Sequence, residues 1–308
     1  MLLSLFLLIV GFIMLVKGAD YLVDGASAVA KRMCIPPIII GLTIVAMGTS
    51  APEAAVSISS ALHGSNAIAI GNVIGSNIVN ILLILGLCSM ITKLSVQRNT
   101  VCYEMPFVIF ITVLLCAMGW YGEISRMGAG VLLGLFMVFL GYLYLISRHN
   151  ECDVQDIKVI SPLKSIAFIA LGLAALVLGS NVAVSAACDI ARIIGVSERV
   201  IGLTIVAIGT SLPELVTSII AAQKGEADIA IGNIVGSNIF NILFVLGISG
   251  MILPIPFNSA FMIDGIVAIL AAVLLWLFTF KNKTLTFLPG LIMVMAYITY
   301  LVFLIVNI

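Results

Sequence analysis

Charge is what this chain lacks. Of its 308 residues only 9% are Asp, Glu, Lys or Arg, while 62% are hydrophobic; soluble domains carry roughly a quarter of charged residues. A water-soluble protein of this length needs far more polar surface, so the chain reads as an integral membrane protein. Basic and acidic residues balance at 14 each, which leaves none of the positive footprint of a nucleic-acid binder. Only two histidines occur, and no HExxH, Ser/His or Asp/Asp constellation is present; neither an enzyme nor a prosthetic group is expected. The six cysteines form no CxxC pair. Buried free thiols are the ordinary reading, with no disulfide framework or metal cluster. The first residues, MLLSLFLLIVGFIMLV, lack the basic region of a secretory signal, and they are kept as the first helix.

What is present is a duplication. Residues 41–53 read GLTIVAMGTSAPE and residues 202–214 read GLTIVAIGTSLPE, identical at eleven of thirteen positions and 161 apart. A second pair keeps that offset: GNVIGSNIVNILLILG at 71–86 and GNIVGSNIFNILFVLG at 232–247. Both pairs set Glu53 or Glu214 and several Ser, Thr and Asn oxygens in otherwise apolar segments. A carboxylate in such a place is costly unless it holds a cation or a proton.

Apolar runs bounded by charges, Pro or Gly place ten transmembrane helices near 2–26, 36–62, 67–91, 101–121, 127–147, 163–189, 197–223, 228–252, 258–280 and 286–307. The expected fold is therefore all-α and polytopic. Residues 1–147 and 162–308 form two five-helix repeats, joined by a polar cytoplasmic linker at 148–161. Loops after odd-numbered helices hold ten Lys and Arg, and loops after even-numbered helices hold three. The positive-inside rule puts the former in the cytoplasm and both termini outside the cell membrane. Five is odd, so the second repeat enters the bilayer the other way up. Inverted repeats with polar motifs meeting near the midplane are a recurrent design of secondary transporters.

The chemistry of the motifs is that of hard oxygen. Glu53 lies seventeen residues after Pro36, and Glu214 seventeen after Ser197, about 25 Å along a continuous helix. Gly48-Thr49-Ser50 before Pro52, and Gly209-Thr210-Ser211 before Pro213, predict a break in each helix. Such a break would free carbonyls of Ala46, Met47 and Gly48, and of Ala207, Ile208 and Gly209, to line a polar cavity. Ser76 and Asn80 share a helix face, as do Ser237 and Asn241. Gly71 with Gly75, and Gly232 with Gly236, have the spacing of close helix contact. Carboxylates, hydroxyls, amides and carbonyls without His or Cys suit Ca²⁺, and two Glu charges match one divalent ion. A lone Ser, Thr or GxxxG is usually only packing; two Glu at equivalent positions, each beside GTSxP, are not. Lys17, Asp20 and Asp24 lack charged counterparts at the 161 offset and read as an ion pair on a helix face, like Asp189 with Arg192. Asp264, His63 and His149 are assigned to membrane ends or loops.

GTSAPE with GSNIVN, and GTSLPE with GSNIFN, resemble the two alpha repeats of the Ca²⁺/cation antiporter superfamily, and within it the prokaryotic sodium/calcium exchangers. The likeness extends over all ten helices. It implies exchange of several Na⁺ for one Ca²⁺ at a central group of cation positions. Carried over by position, it implicates Ala46, Thr49, Ser50, Glu53, Ser76 and Asn80, with Ala207, Thr210, Ser211, Glu214, Ser237 and Asn241. It also implies that the first and sixth helices slide against the other eight. Where some members of the family have Asp, this chain has Asn241, which speaks against potassium co-transport.

The function expected is Na⁺/Ca²⁺ antiport by alternating access, with Na⁺, Ca²⁺ and the lipid bilayer as partners and no nucleic acid. Ca²⁺/H⁺ antiport is the alternative, because two buried carboxylates can also carry protons. A passive cation channel is a third reading. Sequence leaves the oligomeric state open; a monomer is compatible with it.

Overall fold

In hydrocarbon every backbone N–H and C=O must be satisfied within its own segment, so long apolar runs become helices. The computed structural model describes residues 1–148, 161–195, 205 and 207–307, and these are predominantly helical. In chain order the helices are α1 (Leu2–Met33), α2 (Pro37–Thr49), α3 (Ala51–Leu62), α4 (Asn66–Ile91), α5 (Thr100–Gly119), α6 (Arg126–Ser147) and α7 (Pro162–Ile193). They continue as α8 (Leu212–Gln223), α9 (Ala227–Ile252), α10 (Ser259–Phe280) and α11 (Phe287–Asn307). Eight of the described helices are long and apolar enough to cross a membrane, and α2 with α3, bent by 50° at their break, pass the same test only when taken together. The expected helix at 197–223 begins outside the described residues. Its described part is a single turn at Ala207–Gly209 followed by α8. Of the polar linker, residues 149–160, with His149 and Cys152, also lie outside them.

Helix starts follow local chemistry. Pro162 occupies the first turn of α7, where a missing N–H is harmless, and the Ser161 hydroxyl accepts from Lys164 N at 3.4 Å. Asn258 caps α10 by accepting from Phe261 N at 3.1 Å. Helices α1 and α7 run for 32 residues each, longer than the expected 2–26 and 163–189. At 1.5 Å per residue that is about 48 Å, so each extends beyond the hydrocarbon core.

These two helices form a seam of small residues. A Cβ on Gly18 would lie 2.9 Å from Gly172 O, and one on Gly172 would lie 2.7 Å from Gly18 O. Gly11 meets Ala183 and Gly25 meets Ser165 in the same way. Contact positions rise along α1 as they fall along α7, so the pair is antiparallel. Small side chains let the backbones approach, which is the main source of helix association in lipid.

Two miniature sheets tie the loops. β1 (Leu94–Ser95) pairs antiparallel with β4 (Thr284–Leu285), and β2 (Glu123–Ile124) pairs with β3 (Ile255–Pro256). The strands equivalent at the 161 offset, β1 with β3 and β2 with β4, thus sit in different sheets.

Several expectations need correction. Cys34 is disulfide-bonded, whereas Cys88, Cys102, Cys116 and Cys188 are free thiols. Pairing follows three-dimensional proximity, which irregular spacing does not reveal. Asp20 faces Lys17 at 3.9 Å, and both Asp20 and Asp24 bind Lys224, at 3.2 and 2.6 Å. Partial burial alone would lower the Lys224 ammonium, but its bonds to Asp24 and Asp20 hold it above the ordinary lysine value. Asp264 lies within α10 and accepts from the Tyr300 hydroxyl at 2.8 Å.

Candidate functional site

The breaks in the two motif helices are local and alike. Ser50 (φ −81°, ψ 9°) and Ser211 (φ −89°, ψ 8°) stand outside helical geometry, each just ahead of a Pro in the first turn of the next helix. Proline cannot donate to the preceding turn and restricts the residue before it. The new helix therefore starts in the interior, with Glu53 and Glu214 in its first turn, where the helix N-terminus favours negative charge.

The expected side chains converge. Thr49, Ser50, Glu53, Ser76, Asn80, Ser211, Glu214, Ser237 and Asn241 are all at most 2% exposed. The two halves are cross-connected: Ser50 Oγ donates to Glu214 Oε1 at 2.8 Å, and Ser211 Oγ donates to Glu53 Oε1 at 3.2 Å. Each glutamate is thus held by the serine of the opposite motif. Ala46 is fully buried. Its carbonyl is not free as expected, because it accepts from Ser50 N at 3.0 Å, Thr49 Oγ1 at 3.3 Å and Ser237 Oγ at 3.4 Å. The small polar side chains around the break close onto it. Gly209 O likewise accepts from Ser180 Oγ at 2.8 Å. Thr210 is half-buried in the turn before α8, and Ala207 opens the short helical turn preceding it.

Sequence reasoning passed over four asparagines of the same motifs. Asn77 Nδ2 donates to Asn238 O at 3.2 Å, and Asn238 Nδ2 to Asn77 O at 3.3 Å. Their amide oxygens then accept from the outer pair: Asn80 Nδ2 reaches Asn238 Oδ1 at 3.0 Å, and Asn241 Nδ2 reaches Asn77 Oδ1 at 3.2 Å. Asn72 and Asn233 brace the breaks, donating to the carbonyls of Glu53 and Glu214 and to Ser57 and Ser218. Asn233 Oδ1 also accepts from Thr49 at 2.9 Å. The signal was available, since all four amides recur at the 161 offset.

The bonds that are missing define what the site can do. Glu53 Oε2, Glu214 Oε2, Asn80 Oδ1 and Asn241 Oδ1 are buried without a well-formed hydrogen bond, and Ser76 Oγ faces only the Glu53 carboxylate. Buried polar atoms are nearly always paired, so this group of unpaired acceptors, two of them on carboxylates, calls for a cation or a proton. The backbone reinforces it. Asn80 lies in a π-helical stretch at Val79–Leu85 and Asn241 in one at Asn241–Val245, a local widening frequent at functional sites.

The glycine pairs differ in what they touch. A Cβ on Gly232 would sit 2.7 Å from Ile38 O, and one on Gly236 would sit 2.6 Å from Leu42 O, so α2 and α9 pack backbone to backbone as GxxxG spacing predicts. Among the described residues Gly71 meets only Phe261 at 3.5 Å and Gly75 nothing within 4 Å. The segment equivalent to Ile38–Leu42 is 199–203, outside the described residues.

Comparison with known proteins returns one family. The profile of the family described as "Sodium/calcium exchanger protein" matches twice, at residues 3–145 and 164–306. The inner membrane protein YrbG of Escherichia coli is 38% identical over 291 residues, covering 90% of each chain. The sodium/calcium exchanger MaX1 of Methanosarcina acetivorans is 30% identical, covering 96% of this chain and 97% of its own. Among solved structures, the sodium-calcium exchanger NCX_Mj soaked with 10 mM Na⁺ and zero Ca²⁺ superposes with a TM-score of 0.86. It is 30% identical, with 97% of both chains covered.

Proposed function

The chain belongs to the sodium/calcium exchanger protein family, and from that premise we propose that it exchanges Na⁺ for Ca²⁺ across a cell membrane by alternating access. One observation carries the reading: two sealed carboxylates, each bonded through one oxygen to the opposite half and unpartnered at the other. Two negative charges balance one divalent ion. Amide and hydroxyl oxygens complete a shell of the hard, flexible kind that Ca²⁺ takes. The ligand set is Glu53, Glu214, Ser76, Asn80, Ser237 and Asn241 with Thr49, Ser50, Thr210, Ser211 and the carbonyl of Ala207; the Ala46 carbonyl joins it when an ion draws away the Thr49 and Ser237 hydroxyls that now bond it.

Na⁺ is favoured over H⁺ as the coupling ion by the number of neutral oxygens, none of which a proton needs. Asn80 and Asn241 add to that number: each gives an N–H to Asn238 or Asn77 and keeps its amide oxygen unpaired.

The architecture we assign is ten spans in two inverted halves, 1–147 and 162–308, with a cytoplasmic linker at 148–161 and both termini outside. The antiparallel pairing of α1 with α7 supports it. So does the exchange of equivalent strands between the two sheets, since inversion carries equivalent loops to opposite membrane faces. The tight α1–α7 seam makes these helices one body, which suits a pair that slides against the rest to change access.

Proteoliposomes loaded with Na⁺ are expected to accumulate ⁴⁵Ca²⁺ when diluted into Na⁺-free medium. Equal uptake from a choline load would refute exchange, and uptake driven by a pH gradient without Na⁺ would make the coupling ion H⁺.

A further inference from the structure

A second buried carboxylate lies away from the duplicated motifs. Glu104 ends a π-helical stretch, Thr100–Glu104, at the start of α5 and is 4% exposed. Its Oε1 accepts from the Tyr142 hydroxyl of α6 at 2.5 Å, and its Oε2 has no partner. Glu104 and Tyr142 line a groove of about 410 Å³ between α5 and α6, together with Tyr103, Phe107, Phe110 and Phe139. The rings form a continuous wall. Phe107 stacks on Phe139 at 5.7 Å and on Phe110 at 6.3 Å, and Tyr142 lies 6.3 Å from Phe139 and 6.4 Å from Tyr103. Tyr103 and Phe110 are more than half exposed, so the groove opens sideways, to lipid in a spanning helix pair.

We propose that this groove is a binding site for a lipophilic organic cation, an ammonium ion carrying an apolar body, which enters from the bilayer. Aromatic faces attract such cations through their quadrupole. A carboxylate without a countercharge in hydrocarbon is costly; Tyr142 gives Glu104 a hydrogen bond but no charge, and the ligand supplies it. The volume falls within the range of small-molecule sites.

The second half provides an internal contrast. At the 161 offset Glu104 becomes Gly265, Phe107 becomes Ala268 and Phe110 becomes Ala271. The groove found there, between α10 and α11, is about 690 Å³ and is lined mainly by Leu, Ile, Val and Ala; the Asp264 carboxylate bonded to Tyr300 stands outside that lining, whereas Glu104 is part of the first groove's. That surface suits an acyl chain. The site on α5 and α6 is therefore no by-product of the duplication, and it is independent of the ion exchange proposed for the centre.

The test uses the full-length protein in nanodiscs, with empty nanodiscs subtracted. The probes are the 4-phenylbutyl-trimethylammonium ion and its uncharged carbon isostere, read by saturation binding. The cation is expected to bind at least about tenfold more tightly than the isostere, and Glu104→Gln is expected to cut that preference several-fold, leaving the share owed to the rings. Phe110→Leu, at a lipid-exposed position that does not threaten folding, is expected to weaken the cation several-fold and the isostere little. Equal binding of the two probes to the unaltered protein would overturn the proposal, as would a preference undiminished by Glu104→Gln in protein with unchanged elution and circular dichroism.

Discussion

Removing the side chain of Asn238 tests whether the inner asparagines orient the outer ones. Asn238 Oδ1 is the acceptor for Asn80 Nδ2 at 3.0 Å, while Asn80 Oδ1 is unpartnered. In Asn238→Ala the Asn80 amide loses its anchor. A buried donor left unpaired costs about 1–3 kcal/mol, and the amide can recover part of that by turning over. It would then present NH₂ where it had presented oxygen, and a cation loses a ligand without any ligand being mutated. Outer-shell partners of metal ligands typically change affinity by about 10- to 100-fold. The apparent Ca²⁺ affinity, read from ⁴⁵Ca²⁺ uptake and from equilibrium binding, is expected to fall within that range. If Asn238 acts through Asn80, the two substitutions are not additive: Asn80→Ala with Asn238→Ala should resemble Asn80→Ala alone. An affinity within about twofold of the original in Asn238→Ala, or full additivity in the pair, would refute the reasoning.

Glu53→Gln and Glu214→Gln each remove one of two charges from a sealed site, and each is expected to abolish Ca²⁺ uptake while thermal stability is retained. Wild-type uptake in either would displace the site. Gly236→Val places carbon about where Leu42 O and Leu42 Cα stand, 2.6 and 2.7 Å away. Because backbone cannot yield, it should cost about 1–3 kcal/mol or more and lower the unfolding midpoint. Gly130→Ala, with nothing within 4 Å, should leave that midpoint unchanged or slightly raised.

Much of this was legible because the chain states its key segments twice. A lone GTSxP in a membrane helix predicts a kink; two at one offset, each with Glu, predict convergence, and Ser50 and Ser211 do reach across to the opposite glutamates. The break itself could be read from proline chemistry. What escaped falls into two kinds. Contacts between residues distant in sequence and of different type, such as Lys224 with Asp24 or Tyr142 with Glu104, leave no periodic trace. Backbone acceptors also resist reading. The Ala46 carbonyl was expected to be free because its helix breaks, yet a break lets Ser237 of the other half bond it.

The spacing of the cross-connections says why the motifs come in pairs. Ser50 with Glu214 and Asn77 with Asn241 are 164 residues apart; Glu53 with Ser211 and Asn80 with Asn238 are 158 apart. Both values depart from 161 by three, one turn of helix. Every one of these bonds therefore joins a residue to the neighbour of its own repeat partner, one turn away, never to a residue of the same half. Consequently neither half contains a finished site: each has the carboxylate or amide oxygen and lacks the donor that aims it. A shift of one half along the other by a single turn would break all four bonds at once. In the site we propose, an ion bound to the four free oxygens of Glu53, Glu214, Asn80 and Asn241 would bridge the same two halves, so its binding would be coupled to their register. That linkage is what an exchanger requires, because a carrier that could slip register while empty would leak.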